Sequence, residues 1–339
     1  MGTLLAHIRF TVGALALLVF IALATPVGAQ QPNSVNPTAS SVQEQKLLEE
    51  LGKVQGRGTI PDVKSYTIEQ PRGRDWRQFH EVTLRWIGGI AIVAMVVVLA
   101  LFLLVRGRVR IEAGRSGRTI LRFNAFERFV HWMTATCFIL LALTGLNITF
   151  GKVVLLPYIS PEAFTALSQW GKYVHNYLSF PFTIGTVLIF LIWLAGNIPN
   201  RTDVEWMKEG FGGIVGRGKH PPAGRFNAGQ KGIYWIVVLG GAAVAATGYL
   251  LMFPFYATDI AGQQLAQIVH GVVAVLFVAA MLAHIYIGTI GMEGAFEAMG
   301  SGTVDLNWAK EHHSLWVQKK LGEGRASEPP EKGTMAPAE

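Results

Sequence analysis

Five long apolar segments constrain what this chain can fold into. They cover residues 84–105, 127–150, 174–195, 233–253 and 268–290. Each is close to the length of about 20 residues that a helix needs to cross a bilayer. Of the 339 residues, 51% are hydrophobic and only 15% are charged, a balance that favours a membrane protein over a soluble one. The sequence therefore predicts an all-α integral membrane protein.

The connections between these segments alternate in charge. Lys and Arg are dense in 106–126 and 196–232 and nearly absent from 151–173 and 254–267. Basic connections stay in the cytoplasm, so this asymmetry predicts that both basic connections and the tail 292–339 are cytoplasmic. The same asymmetry accounts for the net charge of +7, and we expect lipid rather than nucleic acid around the chain.

The front of the chain has the pattern of an export signal. His7 and Arg9 precede an apolar run, and Val27-Gly28-Ala29 offers small residues for cleavage; an uncleaved anchor is the alternative. A Ser-x-x-Glu start predicts a short surface helix over 41–54. The expected order along the chain is a signal peptide (1–29), a periplasmic extension (30–83), an extra transmembrane helix (84–105), a basic cytoplasmic loop (106–126), a four-helix core (127–291) and a cytoplasmic tail (292–339).

Four histidines lie within the last four segments, where polar side chains are rare without a partner. The predicted topology places His131 and His284 near the inner face of the membrane, and His175 and His270 near the outer face. His284 follows His270 by 14 residues. That spacing returns a helix to nearly the same face and separates the two imidazoles by about 21 Å. The histidines therefore form two layers, each drawn from two helices.

Two layers of paired imidazoles suit two b-type haems, each with two axial histidines and no open iron position. A bundle centre can accept the flat porphyrin, and Gly145 would let a ring approach at the outer level. The single cysteine, Cys137, excludes an internal disulfide, an iron–sulfur cluster held by this chain alone and a covalent C-x-x-C-H haem site. The split depths disfavour zinc. A proton relay remains an alternative use of buried histidines.

Several motifs resemble the cytochrome b, or gamma, subunit of respiratory formate dehydrogenase over about 120–318. They are "RFNAFERFVHW", "GKYVHNYLSFPF", "NIPNRTDVEW", "GRFNAGQKGIYW", "IVHGVVAVLFVAAMLAHIYIGTIGMEGAFEAMGSG" and "WAKEHHSLW". The resemblance implies a four-helix core that holds two haems b. It also implies electrons delivered by an iron–sulfur beta subunit, itself fed by a molybdenum- or tungsten-containing alpha subunit outside the membrane, and a quinone reduced near the cytoplasmic face.

The resemblance assigns roles to individual residues. It implies axial iron ligands in His175 and His270 for the outer haem and in His131 and His284 for the inner haem, and a quinone site made by Asn227, Gly229, Gln230 and His284. Taken alone, Asn227 and Gly229 are also typical of a helix cap and a turn. His312 and His313 are expected in an interfacial tail, where they could neutralise a haem propionate or a quinone headgroup.

Other readings of the sequence stay open. The same scaffold could serve a hydrogenase or another dehydrogenase, or the chain could be a haem-free transporter or scaffold. The short form of the family has four spans, so the extra helix is a departure from it. We expect residues 30–83 to contact external subunits or to act as a tether.

Overall fold

The computed structural model of this chain describes residues 73–211 and 221–327. The predicted signal peptide (1–29) and the short helix expected over 41–54 lie outside the described residues. The helices and strands of the described residues are, in chain order, α1 (Gly73–Arg106), β1 (Thr119–Leu121), α2 (Ala125–Val154), α3 (Pro161–Gly196), α4 (Arg201–Lys208), α5 (Ala228–Met252), α6 (Ile260–Gly291), α7 (Ala295–Gly300), β2 (Thr303–Asp305), α8 (Leu306–His312) and α9 (Ser314–Ser327).

Five of these helices, α1, α2, α3, α5 and α6, are long and apolar enough to cross a membrane. They contain 25 to 36 residues each and extend beyond the apolar segments seen in the sequence. The helices are longer because polar residues at both ends continue the helical hydrogen bonding. For example, α3 begins at Pro161, and a proline at the first position of a helix needs no N–H donor there. The prediction of an all-α integral membrane protein is confirmed.

The described chain divides into two compact units. The first, the bundle unit, contains residues 73–105, 125–192 and 235–286. The second, the loop unit, contains the connections and the tail, residues 106–124, 193–234 and 287–327 without the undescribed stretch 212–220. The membrane-spanning helices pack together in the bundle unit, whereas the loop unit contains the short helices and both strands.

Small residues bring the helices of the bundle unit close together. A Cβ at Gly185 on α3 would overlap the hydroxyl of Thr134 on α2. A Cβ at Gly241 on α5 would lie 2.9 Å from Cγ2 of Thr186 on α3. Because lipid is as apolar as the side chains, helix association in a membrane depends on such close packing. These contacts fix the spacing of the core helices.

The extra helix α1 packs on the four-helix core. Leu84 is buried at one end of its apolar part, and a Cβ at Gly88 would lie 2.9 Å from Val275 Cγ1 on α6. Near the other end, the rings of Phe102 and Tyr286 meet edge to face with centroids 6.3 Å apart. The helix therefore contacts the core near both ends of its apolar part.

The loop unit contains a small antiparallel sheet that the sequence analysis missed. Thr119 of β1 pairs with Asp305 of β2, and Leu121 pairs with Thr303. Asp305 Oδ2 also accepts hydrogen bonds from the Ser116 N–H and hydroxyl, at 2.9 and 3.0 Å. Burial acts to raise the pKa of this carboxyl, but the hydrogen bonds from backbone N–H groups prevail and hold the pKa below its usual value. The strand pairing and the hydrogen bonds of Asp305 thus join the basic connection, 106–124, to the tail.

The contact at Gly88 predicts an asymmetric response to substitution along α1. We expect Gly88→Leu to lower the stability of the purified protein by about 1–3 kcal/mol, because the new side chain would collide with Val275. Gly89→Leu is the matched control, since a Cβ there meets nothing within 4 Å. Unfolding in mixed micelles measures both. Equal effects of the two variants would show that α1 does not pack on the core through Gly88.

Candidate functional site

The structure brings the four predicted histidines together in two pairs. His131 on α2 and His284 on α6 have ring centroids 6.2 Å apart, with an angle of 62° between the ring planes. His175 on α3 and His270 on α6 have the same centroid distance, 6.2 Å, and an angle of 65°. The bundle thus contains two sites of nearly equal geometry. Their role as ligands stays a prediction.

The spacing within each pair fits one metal ion between two imidazoles. A metal–imidazole nitrogen bond is about 2.0–2.1 Å long, and the ring adds roughly 1 Å on each side, so two axial imidazoles should have centroids about 6 Å apart. Both observed distances are 6.2 Å. Within the described residues, no three or more His, Cys, Asp or Glu side chains cluster closely enough to bind a metal ion together.

A layer of phenyl rings lies between the two pairs. Phe138, Phe182 and Phe277 each follow a histidine of their own helix by seven residues, and Phe277 also precedes His284 by seven. Seven residues nearly complete two turns, so each ring faces the same side of its helix as the histidine. The ring centroids of Phe138 and Phe277 are 4.7 Å apart, and those of Phe138 and Phe182 are 6.3 Å apart. The two histidine pairs are therefore separated by an aromatic layer.

Two Thr-Gly dipeptides hold the His175 and His270 rings. Thr144 Oγ1 lies 2.9 Å from His175 Nδ1, and Thr247 Oγ1 lies 3.1 Å from His270 Nδ1. The adjoining glycine in each helix packs against the same ring; Gly145, expected to let a ring approach, faces the imidazole of His175. The threonines were missed in the sequence, although the repeated Thr-Gly dipeptide one helix before each histidine was a visible signal.

Asn227, Gly229 and Gln230 lie in the loop unit, at the start of α5. The Gln230 N–H donates to Asn227 Oδ1 at 3.0 Å, and the Asn227 N–H donates to Gln230 Oε1 at 3.2 Å. This reciprocal capping box matches the alternative that the residues alone suggested. It uses the side-chain oxygens and leaves both amide nitrogens out of the cap. His284, the fourth residue of the predicted quinone site, lies in the bundle unit beside His131.

A buried ion pair joins the start of α5 to α4. Lys231 Nζ lies 2.8 Å from Asp203 Oδ2 on α4 and donates to the Ile198 carbonyl at 3.1 Å. The two side chains are only 7% and 11% exposed. On the same helix α4, the Trp206 ring would lie 3.0 Å from a Cβ at Gly229. The segments "NIPNRTDVEW" and "NAGQK" are therefore one structural unit, a partnership that sequence reasoning missed.

A second buried cluster fills the loop unit. The Arg122 guanidinium lies 5.4 Å from the Trp308 ring centroid and 5.3 Å from that of Trp316, and it donates to the Arg225 carbonyl at 2.6 Å. Trp308 also lies 5.3 Å, centroid to centroid, from the ring of His313. Such cation–π contacts gain strength when they are desolvated. The arginine is thus a structural centre of this unit.

The structure does not support an interfacial role for the His312–His313 pair. His312 is 8% exposed and His313 is fully buried, where its Nδ1 lies 2.9 Å from the Gly224 carbonyl. Burial, and then the charge of Arg122, lower the pKa of His313 well below its ordinary value. The buried position of His313 differs from the interfacial position that was expected for it.

A five-span helical bundle with two imidazole pairs at its centre defines an integral membrane cytochrome of the b type. The profile of the prokaryotic cytochrome b561 family matches residues 122–302, more than half of the chain, and the chain belongs to this family. The match covers all four histidines and the capping box. The family implies b-type haem, with which the paired imidazoles agree.

Relatives narrow the class further. The chain is 30% identical over 203 residues to the formate dehydrogenase cytochrome b556(fdo) subunit of Escherichia coli K12. The aligned region covers 59% of this chain and 93% of the relative. It is 26% identical over 208 residues to the nitrate-inducible formate dehydrogenase cytochrome b556(Fdn) subunit of the same strain, with 60% and 93% coverage. It is 25% identical over 216 residues to the formate dehydrogenase cytochrome b556 subunit of Haemophilus influenzae, with 62% and 87% coverage. The resemblance predicted from the motifs is confirmed.

The Lys231–Asp203 pair predicts a strong and non-additive stability effect. We expect Lys231→Met to destabilise the protein by about 3–5 kcal/mol, because it leaves a buried carboxylate without its cation. The double variant Lys231→Met with Asp203→Leu is expected to recover most of that loss. Arg77→Met is the control, because the Arg77–Glu81 pair is 72% and 50% exposed and should contribute about 0–1 kcal/mol. Denaturant unfolding measures all three. Equal losses for the single and double variants would refute the ion-pair account.

Proposed function

We propose that this chain is the membrane cytochrome b subunit of a respiratory formate dehydrogenase. Its role would be to pass electrons from an iron–sulfur subunit to quinone through two b-type haems. The observation that carries the proposal is the pair of matched sites, each with two imidazoles at a centroid distance of 6.2 Å within one bundle. The formate dehydrogenase relatives support the choice of electron donor.

The residues of the chain would bind and orient the cofactors. His175 and His270 would hold the iron of one haem, and His131 and His284 that of the other. A haem bound between two such imidazoles would supply one-electron transfer. The phenyl rings between the sites and the apolar helix faces would exclude water from both.

The start of α5 is the proposed quinone site. The first N–H groups of a helix have no acceptor within the helix, and Gly229 lies in this first turn. The helix dipole there favours negative charge, which a quinone oxygen gains on reduction. The amide nitrogens of Asn227 and Gln230 are additional donors beside it. Arg122, which donates to Gln230 Oε1 at 3.3 Å, would fix the orientation of that amide.

The proposed setting is the bacterial inner membrane, with the loop unit at its cytoplasmic side. The density of Lys and Arg in 106–126 and 196–232 supports this orientation. The proposed partners are an iron–sulfur beta subunit and a molybdenum- or tungsten-containing alpha subunit at the opposite side. Formate would be oxidised on that alpha subunit, so this chain would carry out electron transfer and quinone reduction only.

The two-site geometry predicts a change in haem content with each histidine variant. Wild-type protein should contain two haems b per chain. His131→Ala and His175→Ala should each remove one haem and leave the other, because the two pairs share no residue. His80→Ala is the control, since His80 stacks on Trp76 at a centroid distance of 5.6 Å in α1, and it should retain both haems. The pyridine haemochrome assay gives the content. One haem per wild-type chain would refute the proposal of two sites.

The proposed donor is tested in membranes that contain this chain with its partner subunits. Formate should produce a b-type difference band, and dithionite should increase it only slightly. Membranes that lack only this chain provide the control. A chain-dependent band with dithionite but not with formate would keep the haems and reject formate as the source of electrons. Absence of any band with intact protein present would favour a haem-free transporter or scaffold.

A further inference from the structure

Two threonine hydroxyls in the bundle unit make the same pair of contacts. Thr144 Oγ1 lies 2.9 Å from His175 Nδ1 and donates to the Leu140 carbonyl at 2.8 Å. Thr144 comes from α2, whereas the histidine that it contacts comes from α3. The second threonine, Thr247 on α5, lies 3.1 Å from Nδ1 of His270 on α6 and donates to the carbonyl four residues before it at 2.6 Å.

The proposed haem ligation determines the direction of the hydrogen bond between each histidine and its threonine. An imidazole that binds iron through Nε2 keeps its proton on Nδ1. In the proposed site the Nδ1–H of His175 therefore donates to the Thr144 hydroxyl. The hydroxyl has one proton, which is available for the Leu140 carbonyl at 2.8 Å or the Leu141 carbonyl at 3.0 Å.

The neighbouring glycines limit the ring from a second side. A Cβ at Gly145 would lie 3.4 Å from Cε1 of His175, and one at Gly248 would lie 3.3 Å from Cε1 of His270. At each site a ring atom therefore packs on bare backbone while the adjacent nitrogen is hydrogen-bonded. Each Thr-Gly dipeptide thus contacts both the nitrogen and the carbon edge of one imidazole.

We propose that Thr144 and Thr247 are positioning residues that fix the tautomer and the ring orientation of His175 and His270. This inference rests on the proposed haem ligation by those two histidines. It does not extend to His131, whose Nδ1 is buried without a hydrogen-bond partner within the described residues. The two haem sites therefore differ in the support of their ligands, although their centroid distances are equal.

The difference has an electronic consequence. An acceptor at Nδ1–H makes the imidazole more basic, and a more basic ligand stabilises the ferric over the ferrous iron. The hydroxyls would therefore lower the reduction potential of the haem between His175 and His270. Loss of either hydroxyl should raise that potential and leave the potential of the other haem unchanged.

The test is a redox titration of the purified complex with two haems, combined with electron paramagnetic resonance of the ferric form. Thr144→Val and Thr247→Val keep the side-chain shape and remove the hydroxyl. Each should change the ferric-to-ferrous equilibrium roughly tenfold, an upward shift of about 59 mV for a one-electron couple. Both variants should shift the same titration wave and the same ferric signal.

Two further variants separate hydrogen bonding from packing. Thr144→Ser retains the hydroxyl and should restore the wild-type potential. Thr149→Val, on the same helix, removes a hydroxyl that donates only to the Gly145 carbonyl at 3.1 Å and should shift neither wave. If the valine variants retain two haems at wild-type potentials, the inference is wrong while the proposed haem sites stand. If serine and valine disturb the haem equally, the role is packing and the inference is also wrong. Wild-type protein without haem would refute the proposed function itself.

Discussion

Imidazole rings inside an apolar bundle are the constraint on which the rest of this structure depends. A buried polar ring without a partner is costly in lipid, so its position is useful only if another group meets it there. Here the four rings form two pairs, each with a centroid distance of 6.2 Å, and they come from three different helices. Close contacts at Gly185, between α3 and α2, and at Gly241, between α5 and α3, bring neighbouring helices of the bundle together. The bundle is therefore packed around the two sites.

The loop unit is held together differently, by buried charge. Lys231 with Asp203, Arg122 among aromatic rings and Asp305 with its backbone donors each join segments that are far apart in the sequence. Separating a buried charge from its partner costs the protein several kcal/mol of folding stability. Such contacts therefore permit few alternative arrangements of the loop unit. This rigidity matters because the same unit contains the start of α5, where the proposed quinone site lies.

The membrane helices and the two histidine pairs could be predicted from the sequence because both depend on local patterns. Apolar length predicts a span, charge asymmetry predicts a depth, and a spacing of 14 residues predicts that His270 and His284 share a face. The β1–β2 sheet could not be predicted, since its two short strands are separated by most of the chain. The burial of His313 was missed for the same reason, because it depends on Arg122 and Gly224.

The capping box shows a different limit of sequence reasoning. Asn227 and Gln230 have the spacing of a helix cap and also match a quinone site, and the sequence alone does not separate the two roles. The structure shows that the cap uses the side-chain oxygens, which leaves the amide N–H groups compatible with donating to a ligand.

The Thr144 and Thr247 contacts were missed for another reason. A threonine hydroxyl in a membrane helix normally donates its hydrogen bond to a carbonyl of its own helix.

The layer of Phe138, Phe182 and Phe277 has a consequence for charge movement. A proton moves through a protein along water or polar groups, and the three phenyl rings between the histidine pairs have neither donor nor acceptor atoms. An electron needs no such chain of groups. If each histidine pair holds a haem as proposed, electrons could pass the layer of rings while protons could not. Each electron would then cross the layer without a proton, and turnover would build up an electrical potential across the membrane.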